Sequence, residues 1–455
     1  MEITIDLSRV LEVINLSPAR FIWFVITNGG WLILLIFLLI GLFYLRLYLK
    51  RKKYLAGIPQ TMLAIDIPKD NEQSLVAMEQ IFATLAGIKS THNLIEKYWQ
   101  GETQLYFSLE IISFEGYIQF LIRTPSKYRD LTEAAVYAQY PDAEITEVED
   151  YVSLIPADVH KLDSDYDVWA TEFTLAKHST YPVKSYRSFE HSITQLFIDP
   201  MASLLEVMSK LGPGEQLGLQ LIIVPAGDDW KDKGYEIVKK LIGGSTDPDR
   251  HIGDRLVDAS GKGLEKFSEA IYKLWGDIDE PKKEKDSLVN RYMNLTTNQK
   301  FVVESIENKL SRICFASTFR VYYLAHNDKF QKGRGVNPIL GAINQFNSTD
   351  LNAFKKHKIL TTSRNYLLVK RRIARIQKKL LKYYKRRSRK GSPEFYLSTE
   401  ELATIYHFPT ITVKAPLLKR TESKKAGPPT LLPLEQARSL EYFQPRVKEP
   451  AAEPT

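Results

Sequence analysis

Leu105 to Ile122 reads LYFSLEIISFEGYIQFLI, and the period of this stretch decides the fold class. Leu105, Phe107, Leu109 and Ile111 alternate with Tyr106, Ser108 and Glu110, Glu115-Gly116 supplies a turn, and Ile118, Phe120 and Ile122 resume the alternation. Two runs of period two about a short turn predict a β-hairpin. Outward from it, Met62 to Ile67 reads as a strand. Glu72 to Leu85 reads as a helix, with Leu75, Met78 and Ile81 or Phe82 at helical spacing. On the other side Ser126 to Gln139 reads as a helix ended before Pro141, and Ala143 to Val148 as a strand. Residues 61–150 thus follow the β-α-β-β-α-β order of a ferredoxin-like module.

A second α+β module is expected over 151–355. Val168 to Leu175 and Leu217 to Ile223 read as strands, Trp230 to Ile242 and Asn298 to Leu310 as helices. A further strand places Phe315, Phe319, Val321 and Tyr323 on one face, and a helix follows near Val336 to Phe346. Asp199, Pro200 and Gly212 mark the two ends of another helix, as cap, first helical residue and C-terminal glycine. The polar stretch 243–297 reads as a largely helical insertion. The expected fold class is therefore α+β: a transmembrane helix, two ferredoxin-like (split β-α-β) modules, a basic helix and a disordered tail.

The transmembrane expectation rests on Phe21 to Leu49, FIWFVITNGGWLILLIFLLIGLFYLRLYL, which has no acidic residue and only Arg46 among the bases. Its unbroken apolar part, Trp31 to Leu45, reaches about 22 Å, so the preceding residues must join it to span a bilayer. Arg46, Lys50, Arg51, Lys52 and Lys53 follow at once. By the positive-inside rule residues 1–20 lie outside, 50–60 form a basic linker at the lipid surface, and the bulk of the chain faces the cytoplasm of an inner membrane. A cleaved signal peptide is disfavoured, because the run is too long and its charges sit on the wrong side.

The formal net charge is +8, but it is concentrated. Twelve bases without an acid fall between Lys370 and Lys390: Lys370, Arg371, Arg372, Arg375, Lys378, Lys379, Lys382, Lys385, Arg386, Arg387, Arg389 and Lys390. With these and the N-terminal cluster set aside, the remainder is net acidic. Within 361–390 the residues Tyr366, Val369, Ile373, Ile376, Leu380 and Tyr383 fall in one helical seam, the bases covering the rest. So many like charges call for an anionic partner: lipid, nucleic-acid phosphate, or an acidic protein surface, including the protein's own. The seam itself could pair two copies of the chain.

Other chemistry is thin. Cys314, the only cysteine, sits in an apolar run and reads as core. No phosphate-binding glycine loop and no histidine pair at metal spacing occur. Asp163, Asp165 and Asp167 resemble half a calcium loop, but Val168 stands where glycine is needed. Glu144, Glu147, Glu149 and Asp150 could pair carboxylates for acid-base work, yet they read better as a charged strand edge. Tyr406, His407 and Pro409 could mark a pocket, or pack the short helix of 391–413 on a neighbour. From 414 to 455 the Pro, Lys and Glu content predicts a disordered tail. No enzyme, metal or cofactor is expected.

The runs FEGYIQFLIRTPSKYRDLTEAAVYAQYPDAEITEVEDY, DPMASLLEVMSKLGPGEQLGLQLIIVPA, NPILGAINQFNSTDLNAF and LSTEELATIYHFP resemble the N-terminal, non-motor region of type IV secretion or conjugative-transfer ATPases of ultra-small candidate-phylum bacteria. The resemblance covers about Thr61 to Pro433. In that family a RecA-like motor follows, whereas this sequence stops near where it would begin. The resemblance therefore implies a membrane-anchored, non-enzymatic scaffold that docks a separate motor ATPase in a secretion-like or DNA-transfer system. The alternative is a membrane-tethered nucleic-acid-binding protein acting through 370–390.

Overall fold

The computed structural model describes residues 31–68, 71–156, 164–189, 198–243, 292–293, 295–357, 369–389 and 391–411. The expected N-terminal segment 1–20, nearly all of the insertion 243–297 and the tail 414–455 lie outside the described residues. Two compact units result, Met1–Pro59 with Ser90–Gln104, and Gln60–Lys89 with Leu105–Thr455.

In the first unit, helix α1 (Trp31–Ala56) packs with a π-helical turn, Glu96–Gln100. The Arg46 guanidinium lies 4.1 Å over the Trp99 ring, and Phe43 meets Tyr98. The transmembrane expectation is corrected: among the described residues no helix is long and apolar enough to cross a membrane. The apolar part of α1 ends at Arg46 after about 22 Å, against about 30 Å of bilayer hydrocarbon. Phe21 to Gly30, which the longer span required, lie outside the described residues. A single-pass inner-membrane protein with its bulk in the cytoplasm is thus not supported.

The second unit is built on one antiparallel sheet of nine strands. They are β1 (Gln60–Asp66), β2 (Phe107–Phe114), β3 (Tyr117–Pro125), β4 (Glu144–Val148), β5 (Tyr166–Leu175), β6 (Glu215–Pro225), β7 (Cys314–His326), β8 (Phe354–Lys356) and β9 (Phe395–Ser398). Their order is β4-β1-β3-β2-β6-β7-β5-β8, with β9 also on β7. Two separate ferredoxin-like modules are therefore replaced by a single sheet. The junction is β2 against β6, paired from Phe107↔Ile223 to Phe114↔Gln216. Strand β2 is buried along its whole length, because both of its edges are hydrogen-bonded and both of its faces are covered. The outer strands are protected in the usual ways. Strand β4 carries Glu144 and Glu147, and β8 is three residues long with two lysines.

One face, which carries Phe120 and Phe319, is covered by helices. Along the chain these are α2 (Leu75–Leu85), α3 (Arg129–Gln139), α4 (Met201–Ser209) and α7 (Lys332–Asn344), while α5 (Lys231–Leu241) and α6 (Thr297–Leu310) pack on each other around Trp230, Val238, Val303, Ile306, Leu310 and Cys314. Helix α8 (Val369–Lys385) covers the opposite face, and the short α9 (Thr399–Ile405) packs on α2. Three of the starts have a local cause in a capping side chain. A capping box of Thr296 and Gln299 opens α6, and one of Ser398 and Glu401 opens α9. Glu401 is also the buried partner of Lys309, at 2.9 Å. Asp199 accepts from the Met201 N–H at 2.8 Å, which starts α4. Cys314 is core, and burial pushes its thiol up to about 12.

Candidate functional site: a basic helix on a buried polar ladder

The pleat places Glu110, Gln220, Arg320 and Glu172 side by side on β2, β6, β7 and β5, in register from Glu110↔Gln220 to Gln220↔Arg320 and Glu172↔Arg320. All four are buried, and they form one hydrogen-bonded ladder across the sheet. Gln220 Nε2 donates to Glu110 Oε1 at 3.1 Å, Arg320 donates to Gln220 Oε1 at 3.3 Å, and Arg320 Nε donates to Glu172 Oε2 at 2.8 Å. Two carboxylates and one guanidinium leave this row with one uncompensated negative charge, which is costly away from water.

The segment at the end of α8 supplies the missing charge. Arg387 donates to Glu110 through Nε at 2.9 Å and NH2 at 3.0 Å, and it also pairs with Asp150. Burial works against both charges. Even so, the close pairing holds Glu110 below the usual carboxylate range and Arg387 above the usual guanidinium one. Tyr151 donates to Glu110 at 2.6 Å and meets Tyr384 Oη at 2.6 Å, and burial raises both phenols well above 10. At the other end of the row Glu172 accepts from the backbone N–H and hydroxyl of Ser392. A side chain at residue 391 would run into that carboxylate, so Gly391 is required there. The backbone carbonyls of Tyr384 and Ser388 accept from Gln220 and Arg320.

Helix α8 therefore lies on the ladder with one face and turns the other outward. Gln377, Leu380, Leu381 and Tyr384 are buried, and Ile376 and Tyr383 flank them on the core of Ile112, Leu121, Ala170 and Tyr322. Exposed are Arg375, Lys378, Lys379, Lys382 and Arg386, which at about 100° per residue fall within an arc of about 100° opposite the buried one. Among the described residues none of these five lies within ion-pair distance of a carboxylate. The other predicted bases separate from them. Arg387 is buried, Arg389 is forked onto Glu394 at 2.6 and 2.9 Å, and Lys385 donates to the Ile155 carbonyl, with burial lowering its pKa. Arg372 is half-buried; the side chains of Lys370 and Arg371, and Lys390 altogether, lie outside the described residues.

The other candidate groups disperse. Glu147, Glu149 and Asp150 meet Arg123 around a polar cleft of about 390 Å³, without Glu144. Glu147 is 3.5 Å from Arg129, and Asp150 belongs to Arg387. Asp163 is outside the described residues, while Asp167 Oδ1 accepts from Val168 N and Gln377. Among the described residues no group of three or more His, Cys, Asp or Glu could hold a metal ion. The lipid contact expected of Arg46, Lys50, Arg51, Lys52 and Lys53 loses its basis with the span, and Arg46 is stacked on Trp99.

His407 and Tyr406 are fully buried in the packing of α9. His407 donates to Asp199 at 2.8 Å and to the Ala403 carbonyl at 2.8 Å, and Tyr406 Oη donates to the Leu121 carbonyl at 3.2 Å. Gln345 donates to the Pro200 carbonyl at 2.6 Å. These contacts join residues of 114–151, 199–226, 337–354 and 397–409 to one another inside the fold. The ladder was missed in the sequence, although one signal was present: a charged or amide residue midway along each of four mainly apolar strands.

Fold and site together define an α+β scaffold in which a buried ionic row seats a cationic helix on a single antiparallel sheet. The chain belongs to the DUF8128 family, a domain of unknown function, whose profile matches residues 56–420 and so takes in the whole sheet, the ladder and α8. No curated protein matches it.

Proposed function

We propose that this protein is a non-enzymatic docking scaffold that holds an anionic partner on the exposed stripe of α8. One observation carries the reading. Among the described bases of the 370–390 run, Arg387 and Arg389 are paired with carboxylates of the fold, whereas Arg375, Lys378, Lys379, Lys382 and Arg386 form one exposed stripe with no carboxylate within ion-pair distance. A solvated helix would not need such sorting, and five like charges mounted on a fixed support repel one another until a partner neutralises them. The resemblance to the non-motor region of transfer ATPases supports a setting beside a separate RecA-like motor in a type IV secretion-like or DNA-transfer system.

The test is affinity purification of the intact protein from its own cells beside the variant Arg375→Glu, Lys378→Glu, Lys379→Glu, Lys382→Glu and Arg386→Glu. The scaffold reading expects DNA or a RecA-like ATPase with the parent protein and neither with the variant. Equal recovery of both from the two proteins would overturn it.

A further inference from the structure

Resting on that docking reading, we infer that the partner on the stripe is the phosphate backbone of nucleic acid, gripped without regard to sequence. The first argument is what the stripe lacks. Among the described residues of its arc only Arg375, Lys378, Lys379, Lys382 and Arg386 are exposed, while Leu380, Leu381 and Tyr384 are buried in the core. Stable protein interfaces are anchored by buried aromatic or aliphatic side chains at their centre. A phosphate backbone needs no such anchor, since its affinity comes from the counterions that the bases displace.

The second argument is geometry. From Arg375 to Arg386 the stripe runs about 16 Å at about 1.5 Å per residue, long enough to follow several successive phosphates. Its flank is seated on the sheet, with Gln377 Nε2 donating to the Val168 carbonyl at 2.9 Å and Arg387 locked to Glu110. Among the described residues the exposed positions of the stripe are all cations, the side chains that take phosphate oxygens, and no Asn, Gln, Asp or Glu stands among them to read adenine or cytosine edges. The contacts are therefore to phosphate, and they position the partner without reading it.

The third argument is preorganisation. A basic tail of the same composition would lose chain entropy on binding, whereas α8 is already ordered by its buried face. Five phosphate contacts to a duplex predict a slope of log K against log salt near −4.5. Affinity should then fall roughly 10²- to 10³-fold between 50 and 200 mM salt.

The experiment uses the intact protein, a fluorescent 20-base-pair duplex in two unrelated sequences, and poly-glutamate as an acidic polypeptide, titrated across that salt range. Expected are equal affinities for the two duplexes, a slope of about −4 to −5, and much weaker poly-glutamate binding. The quintuple change of the same bases to Gln should abolish the slope while leaving the thermal midpoint in place, because the buried face is untouched. Four results would overturn the inference: a duplex slope that survives in the Gln variant, a strong preference between the sequences, poly-glutamate binding as tight as DNA, or no duplex binding at all. In the last two cases, loss of a RecA-like ATPase from the charge-reversed protein would leave the scaffold standing and remove only the nucleic acid.

Discussion

Asp199 shows at the scale of one residue how a distant segment is tied down. Its Oδ1 takes the Met201 N–H and His407 Nε2, and its Oδ2 takes the Thr410 N–H at 3.1 Å and hydroxyl at 2.9 Å. Burial opposes the charge, but His407 and these donors outweigh it and hold the carboxyl at about 2, below its ordinary 3.8. A depressed folded-state value means stability that is complete above the unfolded value and lost as pH falls through the folded one. The Asp199 share, about 2 kcal/mol, should therefore disappear between about pH 4 and pH 2. Denaturant unfolding at stepped acid pH checks this, since Asp199→Asn should flatten that part of the curve. Arg387 makes the complementary case. It caps the end of α8 in the left-handed region, at φ 45°, where glycine is normally favoured and another residue costs about 1 kcal/mol. The cost is offset by its pairs with Glu110 and Asp150. Arg387→Met should lose about 3–5 kcal/mol by stranding Glu110. Arg387→Gly should lose about 1 kcal/mol less because the strain goes too, and Glu110→Gln added to either should restore part of the loss. Urea midpoints of the parent, the two single variants and the two double variants measure these differences.

At the scale of elements, the seat of α8 depends on a position with no side chain. Gly218 lies on β6 beneath the rings of Tyr322 and Tyr384, and a Cβ there would collide with both. Gly218→Ala should destabilise the protein by about 1–3 kcal/mol and speed amide exchange in α8 more than in β1, a ratio that exchange mass spectrometry reads directly. The same elements show what the sequence revealed and what it hid. The period of β2 was legible, and its partner β3 with it. The polar side, Ser108 and Glu110, read as the solvent-facing half of the alternation, because a carboxylate between apolar neighbours looks exposed until its counter-charge is known. That counter-charge, Arg387, is 277 residues away. The seam of α8 was displaced for a related reason. Gln377 lay outside the predicted seam, yet it donates to the Val168 carbonyl and to Asp167. The buried stripe is therefore centred on Gln377, Leu381 and Tyr384 rather than on Ile373, Ile376 and Tyr383. The surface that would have paired two copies of the chain is largely occupied by its own sheet.

At the scale of the molecule, the order of strands and helices was legible from local periodicity and caps, while the number of bodies was not. Strand pairing is decided by which edges remain open after the hairpins form, and nothing in residues 107–114 marks their free edge as the partner of 215–225. Once β2 and β6 pair, the ladder crosses the join from Glu110 to Gln220, and Leu380, Leu381 and Tyr384 of α8 share one core cluster with Ile112 and Phe114 on one side and Ala170 and Leu324 on the other. Separating the halves would break the β2–β6 backbone pairing and cut a buried ionic row, so neither half has a low-energy surface to expose. Unfolding of this unit should accordingly be a single cooperative event. The measurement is native-state amide exchange at increasing urea. Leu63 on β1 and Val321 on β7, both fully inside the sheet, should converge on one opening free energy with the same urea dependence. Two separate values, with the β1 half opening first, would instead mean that the β2–β6 join is weaker than its hydrogen bonds and the ladder across it require.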